Sequence, residues 1–155
     1  LRPSAILAVA ALLGIGVGSG FSYFESRSAP PSSLASTATE GVARYDLCGV
    51  SRHNCVVDGD TLWIDGVKIR IADIDTPEIG SPRCDAEMAL GQRAKRRLLE
   101  LVNEGPFEIR PIGNRDADRY NRKLRVLVRD GRSLGDQLVQ EGLARTWTGR
   151  REPWC

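Results

Sequence analysis

Apolar and polar positions alternate from residue 55 onward. Residues 55–57 and 61–64 read as short strands, and 67–74 continues as a third, rich in β-branched residues. Asp65-Gly66 stands between the second and third runs, where a two-residue hairpin turn belongs. The period then changes. Over 85–102, Ala86, Ala89, Leu90, Ala94, Leu98, Leu99 and Leu101 form an apolar helical stripe. The polar face of that helix carries Arg93, Lys95, Arg96 and Arg97, which read either as a solvated face or as phosphate contacts. Residues 106–112 and 122–128 return to strand character, and Asp130-Gly131 ends the second of these. Ser133, with Asp136 three residues on, caps a second helix over 134–141 that stops at Gly142. Three strands, a helix, two strands and a helix suit an α+β fold built on a small closed five-stranded barrel of the OB type.

Before this domain the pattern differs. Residues 5–24 contain no charged side chain and are rich in Ala, Leu, Val, Ile and Gly, flanked by Arg2 and Glu25. A helix of that length roughly matches the hydrocarbon thickness of a bilayer. Residues 1–25 are therefore expected to be a transmembrane signal anchor or a signal peptide, with the anchor favoured because no good cleavage site follows the run. Residues 26–43 are dominated by Ser, Ala, Thr and Pro, lack the apolar area to offset ordering entropy, and read as a flexible linker. The folded domain is expected over 44–155, on the extracytoplasmic side of the membrane.

Composition adds little by itself. The 155 residues include 22 basic and 20 acidic side chains, a net charge of +2 that permits a nucleic-acid partner without requiring one. Cys48, Cys55, Cys84 and Cys155 form no CxxC pair, and His53 is the sole histidine, so a zinc site is disfavoured. Two disulfides in an oxidising compartment fit better. Three pairings are possible. Cys48 with Cys55 would close a short loop around a surface His53 and leave Cys84 to hold Cys155.

The chemistry concentrates in VVDGDTLWIDGVKIRIADIDTPE, residues 56–78. Crowded carboxylates repel one another, so a positive partner is expected among them. The hairpin brings Asp58 and Asp60 back beside Asp75 and Glu78. Oxygen-only donors favour calcium or magnesium, with the Thr76 carbonyl as a further ligand. The alternative is a patch of solvated acids paired with Arg70. Arg70 on the third strand and Arg122 on a later one add what a phosphodiester needs: guanidinium forks for its charged oxygens.

DGDT at 58–61, IRIADIDTPE at 69–78, DRYNR at 118–122 and LVQEGLAR at 138–145 together resemble the thermonuclease (staphylococcal nuclease) family. The resemblance implies an OB-fold nuclease that uses Ca2+ to hydrolyse DNA and RNA and leaves 3′-phosphate ends. It implies Asp60, Asp75 and Thr76 as the metal site, and Glu78 as the residue that orients or deprotonates water. Arg70 and Arg122 would grip the phosphate, Asp58 would stand behind the ligands, and Arg119 and Tyr120 would lie along the substrate path. Three departures stand out. Asn121 replaces the usual Gly, and Asn tolerates a left-handed backbone best among the other residues. Asp73 is an extra acid expected behind the ligands or against an arginine. The tail TWTGRREPWC lacks the founding enzyme's tyrosines, so Trp147 or Trp154 is expected either to stack on a base or to pack near the disulfide. No obligate protein partner is implied. The rival readings are a non-catalytic OB-fold module that binds nucleic acid in the cell envelope, and a purely structural disulfide-stapled domain.

Overall fold

The computed structural model describes residues 43–155. The expected anchor over 1–25 and nearly all of the expected linker lie outside the described residues. Among the described residues no helix is long and apolar enough to cross a membrane.

The described residues form nine strands and two helices: β1 Asp46–Leu47, β2 Cys55–Asp58, β3 Thr61–Ile64, β4 Val67–Ile71, β5 Ile74–Asp75, α1 Asp85–Asn103, β6 Glu108–Pro111, β7 Lys123–Arg129, β8 Arg132–Ser133, α2 Leu134–Gln140 and β9 Arg145–Thr146. The main sheet runs β1-β2-β3-β4-β7-β6, with β8 also on β7, while β5 and β9 pair separately. This OB-like α+β arrangement departs from the expected closed barrel. Among the described residues no ladder joins β6 back to the β1–β2 edge.

Two hairpins follow from local chemistry. Asp65 and Gly66 both adopt positive φ, at 48° and 77°, so β3 and β4 turn back tightly with Thr61 opposite Arg70. Asp130 and Gly131 do the same for β7 and β8, at 50° and 76°. The Ser133 hydroxyl accepts from the N–H groups of Gly135 and Asp136, capping α2 as expected, and Gly142 has φ 70° after its end.

The expected third strand is broken. β4 ends at Ile71, the Ala72 N–H donates to the Arg125 carbonyl on β7, and the chain restarts as β5. That step moves Asp75 off the main sheet and onto β9, opposite Arg145.

Val56, Leu62, Ile69, Ile71, Ile74 and Leu127 from the strands pack against Ala94, Leu98, Leu101 and Leu138 from the helices. The buried face of α1 is rotated from the expected stripe. It runs Glu87, Gly91, Ala94, Leu98, Leu101 and Val102, while Ala86 and Ala89 are exposed. Its first turns face the loop after β5 rather than the apolar core. Gly91 is required there, since a Cβ would lie 2.6 Å from Ile79 Cγ2 and 2.8 Å from the Pro77 carbonyl oxygen. The basic face of α1 is partly structural: Arg97 binds Glu100, Glu104 and Glu141.

All four cysteines are paired in the expected way, Cys48 with Cys55 and Cys84 with Cys155. His53 is exposed.

Candidate active site

Asp60 lies in the bend between β2 and β3, where the register slips between Val56 and Asp58. The Asp60 carbonyl accepts from the Ile71 N–H at 2.8 Å, which fastens the bend to the end of β4. Gly59 allows this closeness, because a Cβ there would meet Ala94 Cβ at 2.7 Å and Thr76 Cγ2 at 2.9 Å. Asp60, Arg70, Asp75 and Thr76 are all buried. Burying charges singly would be costly, and the structure does not bury them singly.

Arg70 joins the two acid clusters. Its Nη1 contacts Asp60 Oδ2, its Nη2 lies 3.7 Å from Asp75 Oδ1, and Nη2 also donates to the Ile74 carbonyl at 3.1 Å. The Thr76 N–H donates to Asp60 Oδ2 at 3.4 Å. The two motifs the sequence placed together therefore do meet, with Arg70 as the positive charge between them.

Asp58 stands behind Asp60, its Oδ1 accepting the Asp60 N–H at 3.3 Å. Burial, and then the neighbouring Asp60 charge, push the Asp58 carboxyl up to about 7. Asp73 is elsewhere. Its Oδ2 accepts from the Ser133 hydroxyl at 2.5 Å and its carboxylate sits against Gly135 at the start of α2, bonded to no arginine side chain among the described residues. The break in the third strand turns it away, because the two-residue alternation that placed it beside Asp75 does not hold across Ala72. Burial pushes its carboxyl up, against the Ser133 hydrogen bond.

Arg122 reaches the acids from the loop before β7, whose strand lies parallel to β4 with Arg70 opposite Leu124. Its Nη1 donates to Thr61 Oγ1 at 3.2 Å, and Thr61 Oγ1 donates to Asp60 Oδ1 at 3.0 Å. Asn121 adopts φ 59°, the left-handed conformation expected of it. Asp118 fixes the whole turn. Its Oδ1 accepts the N–H groups of Tyr120 and Arg122, and its Oδ2 accepts Arg122 Nε at 2.7 Å. The Arg119 guanidinium stacks on the Tyr120 ring at 4.8 Å, and both side chains are exposed.

Many of these groups line one cleft of about 910 Å³, whose wall includes Asp58, Asp60, Arg70, Glu78, Arg119, Tyr120, Arg122, Trp147 and Arg151 but not Asp75. Lys68 and Arg115 add further positive charge along it.

Glu78 does not join Asp60 and Asp75 in one cluster. Among the described residues no group of three or more His, Cys, Asp or Glu gathers as a metal cage. Instead Glu78 contacts Arg151, whose Nε and Nη2 also bind Asp75 Oδ1 at 3.0 and 2.8 Å. Trp154 Nε1 donates to Asp75 Oδ2 at 3.2 Å. Arg151, Glu87 and Asp118 are the site residues the sequence did not single out. Glu87, buried on α1, accepts the N–H groups of Glu78 at 3.4 Å and Arg83 at 2.6 Å and so shapes the loop that carries Glu78. Only Asp118 lay within a recognisable motif; the other two contacts depend on tertiary approach.

The family profile described as staphylococcal nuclease homologue matches residues 68–153. The chain belongs to that family. Arg70, Asp75, Thr76, Glu78 and Arg122 lie within the matched span, whereas Asp58 and Asp60 precede it. Among curated relatives, endonuclease YncB of Bacillus subtilis (strain 168) is 36% identical over 93 residues, covering 57% of this chain and 44% of its own. The SPbeta prophage-derived endonuclease YokF of the same strain is also 36% identical over 93 residues, covering 57% of this chain and 31% of its own. Micrococcal nuclease of Shigella flexneri is 31% identical over 102 residues, covering 57% of this chain and 53% of its own. This member of the nuclease family thus spans between 31% and 53% of the length of those relatives.

Proposed function

We propose that this chain is a Ca2+-dependent phosphodiesterase that hydrolyses DNA and RNA in the cleft and leaves 3′-phosphate ends. The observation that carries the reading is the meeting of buried Asp60 and Asp75 across Arg70, beside a cationic cleft that Asp60, Arg70 and Arg122 line. The relatives named endonuclease and micrococcal nuclease support the reaction class, and the family resemblance supports the ion and the product.

The donor set suits such an ion. Asp60 and Asp75 are two buried carboxylates already drawn to one positive charge, and with the Thr76 carbonyl they offer only hard oxygens. Two acids and a carbonyl fit a weakly held hard cation completed by water better than a dedicated cage. When bound, the ion supplies neutralisation of a non-bridging phosphate oxygen.

The remaining work falls to this chain's side chains. Arg122 is held at the cleft by Asp118 and Thr61 and presents its guanidinium to the phosphate. Arg70, between the acids, meets the same charge as it grows in the transition state. Glu78 accepts a proton from the attacking water. The water oxygen bonds to phosphorus while the P–O5′ bond breaks and the departing O5′ takes a proton from solvent water, leaving a 3′-phosphate and a 5′-hydroxyl. Arg119, Tyr120 and Trp147 line the path of the strand, where stacking tolerates any base. The uncharged run at 5–24 and the two disulfides support an exported protein tethered to the membrane, with the domain outside the cytoplasm.

The test is direct. Plasmid DNA and RNA should be degraded by the purified chain in Ca2+ and left whole in chelator, with Asp60→Ala and Asp75→Ala inactive. Full activity in chelator would contradict the cation's role. Tight binding of single strands without cutting, under any divalent ion, would favour the non-catalytic OB module.

A further inference from the structure

The tail brings to the acids a cation that the reaction above does not use. Arg151 binds Asp75 Oδ1 at 2.8 and 3.0 Å and also contacts Glu78, while Trp154 takes Asp75 Oδ2 at 3.2 Å. Both oxygens of Asp75 thus face the tail. The tail is fastened at both ends. β9 pairs with β5 at Asp75 and Arg145, and Cys155 is bonded to Cys84 just before α1. The Arg145 guanidinium lies 3.8 Å from the Trp154 ring centre and donates to the Pro153 carbonyl at 3.0 Å, which seats Trp154.

Arg151 itself is loosely packed. Its side chain is 40% exposed, against 5% for Asp75. An ion entering beside Asp75 needs one of its lone pairs, and a guanidinium held on that carboxylate both occupies the lone pair and repels the ion. The two positive charges compete for one carboxylate.

Building on the cation reading, we infer that Arg151 is an internal counter-ion that competes with the divalent cation for Asp75 and thereby sets its affinity. When the cation enters, Arg151 leaves Asp75 and Glu78 together. The displacement that admits the ion also frees Glu78, so occupancy of the site and availability of the base are coupled. The Cys84–Cys155 bond keeps the displaced arginine near the site.

Calorimetric titration of Ca2+ into the full chain and into Arg151→Gln tests this, paired with melting curves in chelator and in saturating Ca2+. Arg151→Gln should bind Ca2+ about fivefold more tightly, the upper scale of a half-exposed ion pair. It should melt lower than the wild type in chelator, and the gap should close in Ca2+. Arg151→Lys, which keeps the charge and loses the fork, should fall between the two. A purely structural Arg151 would lower both melting points equally and leave affinity unchanged, and that result overturns the inference alone. Absence of Ca2+ binding in wild type and variants overturns the cation reading and this inference with it.

Discussion

The carboxylate of Asp118 holds Arg122 by its backbone and its guanidinium, so removing it should cost activity by loosening Arg122 although Arg122 itself remains. Asp118→Ala is expected to lower turnover by roughly tenfold or more, a displaced arginine being felt at the transition state. Burial opposes the charge of Asp118, but the N–H groups of Arg122 and Tyr120 and the Arg122 side chain outweigh it and hold the carboxyl below its ordinary range. A lowered folded value stabilises the fold above the unfolded value of about 3.9 and loses that contribution as pH falls through the folded value. Asp118→Asn should therefore melt lower than wild type at pH 7, with the gap shrinking below about pH 4. Asn121 gives a second check. Its φ of 59° suits glycine, so Asn121→Gly should be nearly neutral in thermal melts, whereas a β-branched Asn121→Val should cost about 1–2 kcal/mol.

The hairpin of β3 and β4, the capped α2 and the length of α1 were readable because turn residues and periodicity act locally. The break at Ala72 was not. Its cause is non-local: a ladder bond to Arg125 on β7 and the seating of Asp73 against α2. The buried face of α1 was misread for a similar reason. Glu87 and Gly91 carry no hydrophobic signal, yet they face the loop bearing Glu78 and are chosen for a hydrogen bond and for closeness. Gly91→Ala should accordingly displace that loop, since its Cβ would meet the Pro77 backbone. It should destabilise by about 1–3 kcal/mol and lower turnover although no reacting group is lost, as melting and initial rates will report.

Across the whole molecule, Asp60, Arg70 and Arg122 were legible as neighbours because they lie on or beside the adjacent strands β3, β4 and β7, whereas Asp73 and Glu78 were misplaced, one turned to Ser133 and the other to Arg151. The closed barrel was over-read: strand order in sequence does not say whether the last edge meets the first. Arg151 escaped notice because it meets Glu78 and Asp75 only through a tail pinned by the Cys84–Cys155 bond, 71 residues apart in sequence. Removing that bond as Cys84→Ser/Cys155→Ser should lower stability by roughly 2–5 kcal/mol in denaturant melts. Cleavage and binding measured side by side on Glu78→Gln weigh most directly on the proposed enzyme. The variant should bind single-stranded DNA as the wild type does and cut it in Ca2+ roughly 100-fold more slowly, the loss expected when a positioned base is removed. Equal cutting by the variant would contradict the role assigned to Glu78.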